Sequence, residues 1–416
     1  MDRPCIDVEE KVPFLKALPL SLQHLFAMFG GTVLVPTLLG IDPATVLLFN
    51  GLATVFYLVA CGGKIPAFLG SSFAFIGPVT AVIMGQMGVS YEHALGGFFV
   101  VGLITAALGL LMTKIGYGWI RFVFPPAAIG AIMAVIGLGL APAAAMKAGL
   151  TPDSFSPEVL TVSVTTLCVT VFGYVFFRGF LSTVPILIGI LTGYVLSVGL
   201  GMVDFSVVAE APWFRLPTFY RPVWDINAVF VLLPIALVSV AEHIGDVTVI
   251  GSIVNRDLLV KPGLGRSLAA TGISMTMTSL FGAPPQTAYS ENVGVLAISR
   301  VFSVWIIGGA AVLSVLLSFF GKFSAVIVTI PDAVMGGVSL LLFGVIATSG
   351  VRMLIQSRVD YDNPENTVVT SLVFLIGVSG ASVSLGGTTF AGMSLATIVA
   401  VFLSVVFTVA RRLKRK

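Results

Sequence analysis

Charge is what this chain has least of. Only 10% of its 416 residues are Asp, Glu, Lys or Arg and 57% are hydrophobic, against about 25% and 45–50% in ordinary soluble proteins. That scarcity excludes a solvated exterior and makes lipid the expected surroundings. Cysteine is as sparse: Cys5, Cys61 and Cys168 are widely separated, so neither a disulfide framework nor a metal site is expected. With His24, His93 and His243 as the only histidines there is no zinc triad, and no nucleophile elbow or phosphate loop occurs. The chain therefore lacks the parts of an enzyme, and no cofactor is implied. The opening "MDRPCIDVEEKVPF" mixes charges and lacks the basic-then-apolar order of an export peptide, so no cleaved leader is expected.

Long apolar runs are present instead. "FPPAAIGAIMAVIGLGLAPAAA" (124–145) and "AGMSLATIVAVFLSVVFTVA" (391–410) reach the roughly 20 residues needed to cross a hydrocarbon core about 30 Å thick. Such runs divide the chain into fourteen expected spans, at 14–39, 43–61, 65–85, 92–113, 125–146, 159–177, 180–202, 226–250, 266–282, 285–299, 301–321, 330–351, 365–380 and 391–410. With both termini cytoplasmic, all of the 22 basic residues except Lys147, Arg215, Arg221 and Lys322 fall on the inner side, the bias that fixes orientation in a bilayer. The closing "RRLKRK" then reads as an inner-face anchor meeting anionic lipid rather than nucleic acid.

Fourteen spans split into two halves of seven, and an odd number per half makes the repeats inverted, as in many secondary transporters. "FPPAAIGAIM" (124–133) and "IPDAVMGGVS" (330–339) align Pro125 with Pro331, Ala127 with Ala333 and Gly130 with Gly336, although small-residue helix starts can agree by chance. More telling are "AFLGSSFAFIGP" (67–78) and "APPQTAYSENVG" (283–294), which interrupt the third span of each half with Gly, Pro, Ser and aromatic residues. Broken backbone survives at membrane depth only against protein or a polar cavity. Two such pieces in matched positions point to a binding site, with each following helix offering its N-terminal N–H groups.

Three acids stand in apolar surroundings: Glu242, Asp246 and Glu291. An ionisable side chain there costs about 2.5–3.5 kcal/mol on insertion scales and is a functional candidate by default. Glu242 and Asp246 are four apart and share a helical face, a candidate proton site or a structural hydrogen-bonding pair. His243 lies about 100° round the helix from Glu242, so the two are not expected to cooperate directly. "HIGD" falls short of the Gly-x-Gly-Asp form of intramembrane aspartyl proteases, because His243 stands where glycine is needed. His24, in "SLQHLFAMFG", fits a packing role and a ligand role equally, and His93 reads as interfacial.

Four motifs taken together carry a family resemblance. "LSLQHLFAMFGGTVLVP" (20–36), "GSSFAFIGP" (70–78), "AEHIGDV" (241–247) and above all "SENVGVLAISR" (290–300) resemble the uracil branch of the nucleobase/ascorbate transporter family, in order and along essentially the whole chain. The last is similar to the family signature of Gln, Glu or Pro, then Asn, any residue, Gly, four residues and Thr. Glu291, Asn292, Gly294 and Arg300 fit it, and Ser299 replaces the Thr while keeping a hydroxyl.

The resemblance implies an all-α polytopic membrane protein of fourteen transmembrane segments in two inverted repeats of seven, with short extended pieces breaking spans 3 and 10. It implies a core domain (1–113 and 226–321) that holds the substrate and a gate domain (114–225 and 322–416) that faces it. The implied activity is proton-coupled uracil uptake by alternating access, in a homodimer of the bacterial cytoplasmic membrane. By position, Glu242, Glu291, Phe73, Tyr289 and Ser290 match the family's substrate-binding positions, and the resemblance implies a proton-coupling or supporting polar network of Asp246, Glu242, His24, Ser72 and Asn292. Two departures stand out: the uracil branch has His where this chain has Asp246, and Tyr where it has Phe343, which removes a hydroxyl from that network. The alternatives are a purine carrier, since purines also display N–H and C=O edges, and an anion exchanger of the same fold, which three buried acids disfavour. A channel fits broken mid-membrane helices less well than alternating access does.

Overall fold

The computed structural model of the chain describes residues 5–84, 90–116, 118–385 and 388–414. Arg3, Arg415 and Lys416, and the side chains of Arg121 and Lys414, all used in the orientation argument, lie outside the described residues.

Proline and glycine set many of the boundaries. Helices α1 (Phe14–Ala27) and α2 (Phe29–Leu39) follow one another through Met28, and α2 stops at Gly40, whose φ of 66° ends the helix in the left-handed region. Helix α3 (Pro43–Ala60) opens on a proline, with the Asp42 carboxylate capping the Ala44 N–H at 3.0 Å. Strand β1 (Leu69–Ser71), the single turn Phe73–Phe75 and helix α4 (Ile76–Met84) come next. Helices α5 (Tyr91–Ile115), the short α6 (Ile120–Val123), α7 (Pro126–Lys147), α8 (Pro157–Phe176), α9 (Pro185–Gly199) and the short α10 (Ser206–Glu210) complete the first half.

The second half begins at Ile226. Helices α11 (Ile226–Leu232) and α12 (Ile235–Val254) follow one another through Leu233 and Pro234, α13 is Leu264–Ser279, and strand β2 (Gln286–Ala288) precedes α14 (Ser290–Ser299). Helices α15 (Val304–Ser318), α16 (Gly321–Val328), α17 (Asp332–Gln356) and α18 (Pro364–Val378) follow. A hairpin of β3 (Ser382–Leu385) and β4 (Thr388–Ala391), antiparallel with Ser382 opposite Ala391, leads into α19 (Gly392–Lys414). The chain is thus predominantly helical, and both interrupted stretches contain a three-residue extended piece. Among the described residues, eight helices, counting α1–α2 and α11–α12 as one each, are long and apolar enough to cross a membrane; α9, α15 and α18 are shorter apolar helices.

The chain divides into two compact units: Met1–Ser71, Leu140–Tyr220 and Ala288–Gly344 in one, Ser72–Gly139, Arg221–Thr287 and Val345–Lys416 in the other. In the first, α3 packs on α15, where a Cβ on Gly51 would meet the Ala311 carbonyl at 2.6 Å, and Ser314 Oγ donates to the Leu47 carbonyl at 2.8 Å. Ser21 Oγ on α1 donates to the Ile306 carbonyl of α15 at 2.9 Å, and Gln23 Nε2 to Thr183 Oγ1 at 2.9 Å. A loop in this unit is held by charge: Arg215 Nη2 donates to Asp42 Oδ1 at 2.6 Å, the Thr218 N–H to Asp42 Oδ2 at 3.0 Å, and Ser324 Oγ to Asp42 Oδ1 at 3.1 Å.

In the second unit, α5 and α13 approach through glycine. A Cβ on Gly109 would strike the Ala269 backbone and one on Gly272 the Ala106 backbone, while Leu103 and Leu110 on α5 are 53% exposed. Lipid is as apolar as leucine, so close backbone packing of small residues rather than burial of large ones holds such helices together. That is why the apolar side chains face outward and the glycines inward, the reverse of a soluble helix.

Candidate functional site

In each unit, buried polar groups lie along an interrupted stretch. In the second unit, Ser72 follows β1, and its hydroxyl accepts the Ala74 N–H at 3.3 Å while donating to Glu242 Oε2 at 2.9 Å. Glu242 sits mid-way along α12. One turn later, Asp246 Oδ2 accepts from Thr287 Oγ1, in the extended piece β2, at 3.2 Å. The shared helical face expected for Glu242 and Asp246 therefore turns both carboxylates to hydroxyls of the interrupted stretches. His243 points elsewhere, with Nε2 2.9 Å from Ser267 Oγ on α13, as the 100° offset from Glu242 requires. Phe73 is buried, and Ser239, three residues before Glu242, has a buried hydroxyl with no hydrogen-bond partner among the described residues.

In the first unit, the Tyr289 N–H donates to the Phe68 carbonyl at 3.0 Å, which pins the start of α14. Ser290 and Glu291 then open that helix, where N–H groups lack carbonyl partners within the helix. Glu291 Oε1 is buried and has no hydrogen-bond partner among the described residues. Asn292 Nδ2 reaches back to α1, 3.1 Å from the His24 carbonyl and 3.3 Å from His24 Nδ1, so His24 is tied to the signature helix. Ser299, in place of the signature Thr, accepts the Val301 N–H at 3.2 Å and finishes the turn that leaves α14.

Sequence reasoning passed over several members. Thr287, the partner of Asp246, stands in "PPQTAYS", where a hydroxyl in a proline-broken stretch was the available signal. Gln286 beside it is wholly buried, held by Thr278 Oγ1 at 2.9 Å and the Pro284 carbonyl at 2.7 Å. Asn50 and Thr54 on α3 play the same part for β1: Thr54 Oγ1 accepts the Leu69 N–H at 2.9 Å and donates to the Asn50 carbonyl at 2.7 Å. Phe343 is buried on α17 and brings no hydroxyl to any carboxylate.

Chemically, the second unit offers the Glu242 and Asp246 carboxyl groups with the hydroxyls of Ser72 and Thr287, and the first unit offers the Glu291 carboxyl group at the N-terminus of α14. Carboxylates accept N–H bonds and helix N-termini donate to carbonyls, which suits a neutral cargo carrying both. Among the described residues no group of three or more His, Cys, Asp or Glu is disposed to hold a metal ion.

This fold and polar lining define a multi-pass membrane transporter. A family model described as a permease family matches residues 15–386, and the chain belongs to that family, the nucleobase/ascorbate transporters. It is 55% identical over 415 residues to a uracil permease of Paenibacillus larvae subsp. larvae, covering 98% of each chain. It is 53% identical over 413 residues to a uracil permease of Escherichia coli strain K12, covering 98% of this chain and 95% of that one. A uracil permease of Bacillus subtilis strain 168 is 45% identical over 406 residues, covering 94% and 92%. Among solved structures, the transmembrane domain of the cyanobacterial bicarbonate transporter BicA superposes with a TM-score of 0.62 at 14% identity, covering 96% of this chain and 99% of that one. SLC26A9 superposes with a TM-score of 0.67 at 13% identity; the match covers 95% of this chain, which spans 65% of that protein's length. At such identities the likeness is one of fold. The protein is a carrier and not an enzyme.

Proposed function

We propose that this carrier takes uracil into the cell together with a proton, by alternating access across the bacterial cytoplasmic membrane with both termini inside. One observation carries the reading: Glu291 Oε1 is buried at the head of the signature helix without a hydrogen-bond partner among the described residues. An unmet acceptor of that kind costs about 1–3 kcal/mol or more, and a uracil N–H supplies the missing donor. Glu242, Glu291, Phe73, Tyr289 and Ser290 form the substrate-binding set. Asp246, Glu242, His24, Ser72 and Asn292 form the proton-coupling and supporting network. The uracil permeases at 45–55% identity over nearly the full chain support the cargo.

The finer architecture belongs to the same proposal: fourteen crossings, two inverted repeats of seven, a core domain (1–113 and 226–321) moving against a gate domain (114–225 and 322–416), and a homodimer. The order of elements supports the repeat. The α1–α2 and α11–α12 stretches, the extended pieces β1 and β2, and the proline-led α7 and Pro331-led α17 recur in matching places. Each compact unit also takes the counterparts of what the other takes, with α3 packing on α15 in one and α5 on α13 in the other.

Uptake of radiolabelled uracil into proteoliposomes under an inward proton gradient tests the proposal. Accumulation that collapses with a protonophore and persists without sodium is the expected result. Folded protein that accumulates xanthine instead would move the assignment to the purine alternative. Anion exchange, the second alternative, is disfavoured by the carboxyl groups at both interrupted stretches.

A further inference from the structure

The Tyr289 side chain is 2% exposed, so nearly all of it faces protein. Its ring packs against Gly70 in β1: a Cβ added to Gly70 would come within 2.5 Å of Cε2, Cζ and Cδ2. The backbone at Gly70 is not in the left-handed region, so glycine is required there for space and not for conformation. The tyrosine hydroxyl faces Ser71 and the Thr32 hydroxyl of α2. Ser71 Oγ in turn lies 3.5 Å from Asn50 Oδ1, and Thr54 of the same helix holds the Leu69 N–H. Ring, hydroxyl and main chain of Tyr289 therefore meet two residues of β1, Gly70 and Ser71, and the residue before the strand, since the Tyr289 N–H also donates to the Phe68 carbonyl at 3.0 Å.

Two residues further on stands Glu291. A helix turns about 100° per residue, so any slip in where α14 begins would swing that carboxyl away from its present direction. We propose that Tyr289 is a positioning residue whose ring, seated on Gly70, fixes the start of α14 and thereby the direction of the Glu291 carboxylate. The glycine and the aromatic ring act as one interlocking pair, with the Ser71 hydroxyl and the Asn50 carboxamide beside them. This inference rests on the reading of Glu291 as a uracil ligand. It assigns Tyr289 a role through β1 that is separate from any contact with the cargo.

A double-mutant cycle on the full-length purified protein tests it, with uracil affinity measured by isothermal titration and the thermal midpoint measured without uracil. Gly70→Ala should weaken uracil binding by about tenfold or more in the wild-type background, and by less than about threefold when Tyr289→Ala has removed the ring. Tyr289→Phe keeps the ring and should stay within about fivefold of wild type, the worth of one neutral hydrogen bond. A merely structural tyrosine would lower the thermal midpoint without this coupling in affinity. Equal losses from Gly70→Ala in both backgrounds, or a Phe variant as impaired as the Ala variant, would overturn the proposal. If Gly70→Ala alone fails to fold, recovery of folding in the double variant supports the interlock, and failure of both overturns it. Wild-type protein that folds but binds no uracil would remove the cargo reading by itself. The interlock is then judged by whether the drop in thermal midpoint caused by Gly70→Ala vanishes in the Tyr289→Ala background.

Discussion

Ser72 and Glu242 are joined by a 2.9 Å hydrogen bond in which the serine hydroxyl donates, while the same oxygen accepts the Ala74 N–H. One small side chain thus ends the extended piece, starts the following turn and orients a carboxylate on another helix. Ser72→Ala removes a bond to a group that is charged when ionised, worth about 1.5–3 kcal/mol, and a cap worth about 1 kcal/mol. Uracil affinity should fall by roughly tenfold or more, whereas Ser72→Thr, which restores the hydroxyl, should recover most of it. Titration of both variants checks this, and an Ala variant that binds like wild type would show that Glu242 needs no such support.

Glu291→Gln keeps the shape of the side chain and replaces one acceptor by a donor. If the buried Oε1 receives a uracil N–H, the substitution should weaken uracil binding by about 1.5–3 kcal/mol, or roughly tenfold to a hundredfold. The new amide adds an N–H donor that a purine acceptor edge can use, so competition by xanthine should improve relative to uracil. Binding assays with both bases separate the outcomes, and undiminished uracil affinity would take Glu291 out of the site.

Asp246 Oδ2 is held by Thr287 and lies one helical turn beyond Glu242. Asp246→Asn can still accept that hydroxyl bond but can no longer take up or release a proton. Equilibrium uracil binding should change by no more than about tenfold, the scale of one hydrogen bond, while accumulation driven by a proton gradient should be lost. Counterflow of uracil without a gradient should survive. Uptake that still follows the gradient in this variant would exclude Asp246 as the proton carrier.

Much of this site was legible because charge is so scarce in the chain. Glu242, Asp246 and Glu291 stood out against apolar neighbours, and the prolines, glycines and serines around 67–78 and 283–294 marked where regular helix had to fail. What the residues did not disclose were pairings across long stretches of chain. Asn292 meets His24 across 268 residues, Thr287 meets Asp246 across 41, and Arg215 meets Asp42 across 173. Those contacts depend on which helices become neighbours, and helices held by glycine seams carry little periodic signal to say so. Tyr289 reads on the page as one more aromatic beside a motif; only the packing against Gly70 shows which way its ring turns.

The Asp42 cluster offers a test of stability outside the spans. Burial pushes the Asp42 carboxyl up, but the N–H groups of Thr218 and Ala44 and the Arg215 guanidinium outweigh it and hold the carboxyl below its ordinary range. A carboxyl depressed in the folded state stabilises fully above its unfolded value, about 3.9, and that contribution is lost as pH falls through the lower folded value. Asp42→Asn should therefore lower stability by about 1–3 kcal/mol at neutral pH, the worth of hydrogen bonds to a charged group whose arginine partner stays partly exposed. Below about pH 4 the gap between variant and wild type should narrow, because the unfolded chain's carboxyl takes up a proton first, and it should close as pH falls through the lower folded value. Thermal midpoints of both proteins in detergent between neutral pH and pH 3 measure this gap, and a difference that stays constant over that range would show that the charge of Asp42 contributes nothing to holding the Arg215 loop.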